Sequence, residues 1–80
     1  MIWVRSQNKE VLVEVENLAI FSKEGSYEIH SYTECLGKYS TKEKALKVLD
    51  MIQELILYTY YGGIEPKKLF QMPQDDEVEE

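Results

Sequence analysis

Eighty residues are enough for one domain, and a chain this short buries only roughly 60–65% of the surface that its unfolded form exposes, so its stability margin is thin. A hydrophobic content of 44%, nine aromatics and six Gly plus Pro exclude a disordered or fibrous chain, and a single cysteine, Cys35, excludes an intramolecular disulfide and points to a reducing, cytoplasmic setting. The net charge of −6 is concentrated in Asp75, Asp76, Glu77, Glu79 and Glu80, which leaves residues 1–74 at −1 and without the basic stripe of a nucleic-acid binder.

The opening Met1 to Arg5 is β-branched and aromatic, and it lacks the basic segment and apolar run of an export signal. The longest uninterrupted apolar stretch, Leu55 to Tyr58, is four residues, so no membrane span is expected. The polar cluster Ser6-Gln7-Asn8-Lys9 then separates this first strand from Glu10 to Glu16, where Val11, Val13 and Val15 alternate with acids as in a half-buried strand. The two form a hairpin. Asn17 allows a turn into Leu18 to Lys23, and Glu24-Gly25-Ser26 supplies another into Tyr27 to Tyr32, which makes a second hairpin. Leu36-Gly37-Lys38-Tyr39 is compatible with a short fifth strand or with the lead into a helix.

That helix is the clearest element. Ser40-Thr41-Lys42-Glu43 matches a capping box, with the helix starting at Thr41, and Ala45, Val48, Leu49, Ile52, Leu55, Ile56 and Thr59 recur at three- and four-residue spacing along one face. Gly62-Gly63 provides a left-handed stop, Ile64 to Lys68 a connector, and Leu69 to Met72 a short apolar segment suited to a sheet edge. Residues 73–80, with Val78 alone among acids, read as a flexible acidic tail after a single domain of residues 1–72.

Antiparallel hairpins followed by a helix predict an α+β two-layer sandwich: a sheet of four to five short strands covered on one face by one long C-terminal helix. Ile2, Val4, Val11 to Val15, Leu18, Ile20, Tyr27 and Ile29 are assigned to the helix side. Trp3, Leu12, Phe21 and Tyr32 fall on the opposite register and predict an aromatic patch on the second sheet face. Three tyrosines in four residues, Tyr58, Tyr60 and Tyr61, cannot all face one sheet, so either at least one is displayed at an interface or the rings wrap over the sheet end and close the core.

The chain also resembles a family of small uncharacterised proteins from low-GC Gram-positive bacteria and their phages. The resemblance is carried by Trp3-Val4-Arg5-Ser6-Gln7, by Leu36 to Gln53 with its Gly37-Lys38-Tyr39-Ser40-Thr41 opening, and by Phe70-Gln71-Met72-Pro73. It implies the same fold and compartment and brings no activity with it.

Few residues suggest chemistry. His30 and Cys35 are five apart, a spacing that matches no tetrahedral metal site, and one His with one Cys falls short of the four ligands of structural zinc. Glu14, Glu16, Glu28 and Glu34 lie at strand positions where acids are usually solvated. Lys42, Lys44 and Lys47 cluster on the helix, but Glu43 is placed to pair with Lys47. The glycines match no phosphate-binding pattern. The expectation is therefore a non-enzymatic protein-interaction module, self-associating as a homodimer or binding another protein, with no metal, no cofactor, no direct nucleic acid and no membrane among its partners. Its interface residues are Trp3, Leu12, Phe21, Tyr32, Tyr58, Tyr60 and Tyr61. An acidic regulator or mimic acting on a nucleic-acid-binding protein is the alternative, and a small enzyme ranks third.

Overall fold

The computed structural model describes residues 2–32, 34–60 and 69–79, and for residues 58–60 the backbone. Among the described residues there are six strands and one α-helix, in the order β1 (Ile2–Arg5), β2 (Leu12–Val15), β3 (Ala19–Lys23), β4 (Ser26–Ser31), β5 (Glu34–Tyr39), α1 (Lys42–Tyr60) and β6 (Leu69–Gln71), followed by a 3-10 turn at Asp75–Glu77. The α+β class holds. The single meandering sheet does not: the strands form two three-stranded sheets, β2-β1-β6 and β3-β4-β5. Nor is the helix C-terminal, since β6 and the 3-10 turn follow it.

Both expected hairpins are present. In the first, Ile2↔Val15 through Arg5↔Leu12 pair without interruption. Its loop is closed by Ser6, whose N–H donates to the Val11 carbonyl at 2.8 Å while its hydroxyl accepts from the Val11 N–H at 3.0 Å. In the second, Lys23↔Ser26 pairing leaves Glu24 and Gly25 as a two-residue turn with φ of 45° and 83°. Positive φ at both positions gives the turn whose twist matches that of the flanking strands. β6 then joins β1 in parallel, Trp3↔Leu69 to Arg5↔Gln71, on the side away from β2.

The inward registers build one core from both sheets and the helix. Ile2, Val4 and Val15 from the first sheet, Ile29, Leu36 and Tyr39 from the second, and Ala45, Val48 and Ile52 from α1 are buried together, with Val11, Val13, Leu18, Ile20 and Tyr27 packed against them as their alternation predicts. α1 lies against β4 and β5. Its stripe is narrower than the spacing suggests, because Ile56 is 46% exposed. The cap is also displaced by one residue: Thr41 Oγ1 accepts from the Lys44 N–H at 3.1 Å, as an N-cap does, while Ser40 turns its N–H and hydroxyl to Asp75.

Residues 73–79 lie back on the fold rather than projecting from it as a tail. Val78 is 6% exposed and joins the core, Asp75 Oδ1 accepts from the Ser40 N–H at 2.8 Å and its hydroxyl at 3.2 Å, and the Lys44 ammonium stands 3.6 Å from the other carboxylate oxygen. These contacts, the Ser40 N–H foremost and the Lys44 charge after it, hold the Asp75 carboxyl below its ordinary pKa. Gln7 ties this segment to both sheets. Its backbone N–H donates to the Leu36 carbonyl at 2.7 Å, its side-chain oxygen accepts from Lys38 N–H at 2.9 Å, and its side-chain amide donates to the carbonyls of Lys38 and Pro73 at 3.2 and 3.1 Å. Gln74 in turn donates to the Gln7 carbonyl at 2.8 Å. The side-chain amide of Gln7 thus joins Lys38 of β5 to Pro73, while its backbone, just after β1, binds Leu36 and Gln74.

The expected glycine stop at Gly62-Gly63, the connector Ile64 to Lys68 and Tyr61 lie outside the described residues, as do the side chains of Tyr58, Thr59 and Tyr60.

Candidate functional site

Side chains that point away from the core form two separate outer faces, one per sheet. On the first, successive registers bring Leu12, Arg5 and Gln71 into one row and Glu14, Trp3 and Leu69 into the next. Trp3, Leu12 and Leu69 are 42%, 54% and 53% exposed, a three-strand apolar cluster framed by Arg5 and Glu14. Trp3 and Leu12 were legible from alternation. Leu69 was not, because the orientation of a three-residue strand is set by its pairing partner rather than by any pattern of its own.

The expected aromatic patch is divided between sheets. Phe21 is 54% exposed on β3 in the second sheet, while Tyr32 sits at φ 38° just past the end of β4, with its hydroxyl donating to Glu16 at 3.2 Å. Neither shares a sheet face with Trp3. Between α1 and the β2–β3 connection runs a groove of about 280 Å³, lined by Val15, Leu18, Leu49, Ile52, Ile56 and Leu57.

The outer face of the second sheet is polar and more specific. Glu28 and His30 are two apart on β4 and therefore share a side, and their side chains meet at 2.8 Å between Oε1 and Nε2. Phe21 packs its ring edge-to-face with the His30 imidazole, centroids 5.1 Å apart. Cys35 reaches the same spot through a β-bulge. Ile29 pairs with Gly37 but His30 pairs with Cys35, so Leu36 is an extra residue on β5. Leu36 and Gly37 are accordingly both buried, and the thiol is re-aimed to the outside. One potential ligand atom each from Glu28, His30 and Cys35 lies within 4.8 Å of the other two.

Gly37 is required here by close packing: a β-carbon would stand 3.0 Å from Tyr39 Cε2 and 3.1 Å from Met72 Cε. Tyr39 cannot readily withdraw, since its buried hydroxyl donates to the Pro73 carbonyl at 2.8 Å.

The electrostatics separate the three donors. The His30 contact keeps Glu28 below the ordinary carboxylate range, with Lys23 and Lys38 adding to the effect. Burial first, and then the Glu28 carboxylate, raise the Cys35 thiol, which donates to the Gly37 carbonyl at 3.7 Å. A thiol held protonated beside a carboxylate is not a preformed nucleophile. The sequence treats His30 and Cys35 as an isolated pair and Glu28 as a solvated acid, whereas the fold groups them. The Glu28-His30 spacing was visible, but the bulge that adds Cys35 was not.

No family model, curated protein or solved structure matches this chain. Among the described residues no helix is long and apolar enough to cross a membrane.

Proposed function

We propose that this chain is a non-enzymatic protein-interaction module that pairs with a second copy of itself through the outer face of β2-β1-β6. The observation that carries this reading is the convergence of Trp3, Leu12 and Leu69, one from each strand, on a single exposed sheet face. Large aromatic and aliphatic groups in such a position gain by leaving water, at about 25 cal/mol per Å² of apolar surface covered.

A second copy is the occupant favoured by charge. In its paired registers the face carries one cation, Arg5 on β1, and one anion, Glu14 on β2, diagonal neighbours that both border Trp3. A two-fold contact is self-complementary, so Arg5 of each copy meets Glu14 of the other while the apolar cluster covers itself. Association would also add to the thin stability margin of a short chain.

Sedimentation equilibrium at micromolar to high-micromolar concentration tests this directly. A dimer is expected. Trp3→Glu raises its dissociation constant about a hundredfold or more, in keeping with loss of a buried aromatic anchor. Arg5→Glu weakens the dimer too, and the double variant Arg5→Glu/Glu14→Arg restores it. A strict monomer at high-micromolar concentration, with circular dichroism showing the fold intact, overturns the reading.

A further inference from the structure

We infer that Glu28, His30 and Cys35 form a binding site for a divalent transition-metal ion, best matched by Zn²⁺, on the outer face of β3-β4-β5. Carboxylate oxygen, imidazole nitrogen and thiolate sulfur are the three donor types that Zn²⁺ accepts, and the chain places one of each within a 4.8 Å triangle. Tetrahedral zinc separates its ligand atoms by roughly 3.3–3.6 Å, as follows from bond lengths of about 2.0–2.3 Å. On binding, the 2.8 Å Glu28 Oε1–His30 Nε2 contact would open and the longer separations would close.

The scaffold is suited to holding them. All three donors stand on two hydrogen-bonded neighbouring strands, so their backbone positions are fixed by the sheet rather than by a loop. The bulge at Leu36 is what turns Cys35 to the outside; an uninterrupted register would set Leu36 opposite His30 and bury the thiol. Phe21 braces the imidazole at 5.1 Å from ring to ring. His30 and Glu28 are partly buried, with side chains 25% and 13% exposed, which lowers the dielectric while leaving an approach from solvent.

Charge also fits. On binding, the Cys35 S–H proton leaves to solvent, and the resulting thiolate with the Glu28 carboxylate balances the dication, while neutral His30 supplies the third bond. Lys38, the cross-strand partner of Glu28, flanks the site from β5. With three protein ligands, the fourth coordination position is left for water or another small ligand.

The composition makes the test unusually specific, because His30 and Cys35 are the only histidine and cysteine in the chain. The full chain, free of any tag and kept reduced, is titrated with Co²⁺ and then Zn²⁺ at neutral pH. Expected are a thiolate-to-cobalt charge-transfer band in the near ultraviolet, visible bands of tetrahedral intensity, and their loss on adding about one equivalent of Zn²⁺ per chain. Cys35→Ser abolishes the charge-transfer band, and His30→Ala and Glu28→Gln each weaken Zn²⁺ binding about tenfold or more, as measured against a chromophoric chelator. Circular dichroism establishes that the variants are folded. Absence of the band in the parent chain, or Zn²⁺ binding by Cys35→Ser as tight as by the parent, overturns the site.

Discussion

The outer faces of the two sheets share a backbone plan of three short strands with their apolar side turned inward, yet they carry different surfaces. On β2-β1-β6 the pairing of β1 with β2 runs without a break, and strict alternation lines up Trp3, Leu12 and Leu69 as a broad apolar area. On β3-β4-β5 one added residue at Leu36 breaks the alternation and draws Cys35 beside His30 and Glu28. A regular register spreads like side chains over an area, which suits contact with a large partner. A bulge gathers unlike side chains at a point, which suits an ion or small group.

The sharpest way to break this contrast is to cross the two readouts. Trp3→Glu should disperse the dimer while leaving the cobalt spectrum of the second face unchanged, and Cys35→Ser should remove that spectrum while leaving the sedimentation behaviour of the first face as it was. Loss of both signals in either variant would mean that the two faces are not independent. Next in size is Gly37→Ala. The added methyl meets Tyr39 and Met72 at 3.0–3.1 Å, so a loss of about 1–3 kcal/mol in urea denaturation is expected, together with a weaker cobalt band because the bulge is disturbed.

Two changes remote from both faces serve as controls. Thr41→Ala removes the helix cap and should lower stability by about 1 kcal/mol in thermal melts without altering association or metal binding at temperatures where the chain is folded. The smallest effect is expected from acid. Asp75 titrates lower in the folded chain than in the unfolded one, so its contribution is present above the ordinary aspartate value of about 4 and is lost as pH falls toward the depressed one. Asp75→Asn should flatten that part of the melting-temperature profile.

What could be read from the residues follows the same division between local and non-local order. β1 to β4 were legible because Ile2/Val4, the valines of β2 and Tyr27/Ile29 alternate, and α1 because Ala45, Val48 and Ile52 keep helical spacing. The split into two sheets was not, since nothing local tells whether one hairpin pairs with the next, and neither was the parallel pairing of β6 with β1, between residues more than 60 apart. Val78 was hidden by its acidic neighbours, although a lone apolar residue in such a run can anchor the whole segment once Ser40 and Lys44 receive Asp75. The candidate site shows the same limit. Trp3 and Leu12 are visible from parity, whereas the Cys35 register reverses the parity that Leu36-Gly37 suggests.

The central place of β1 has a consequence for how the polypeptide is made. Once made, β1 must wait for residues 69–71 before its second edge is filled, an interval of roughly 3–13 s at ordinary elongation rates. Throughout that interval a nascent hairpin offers unpaired N–H and C=O groups beside an exposed tryptophan, and neighbouring nascent chains on the same message offer the same edge in return.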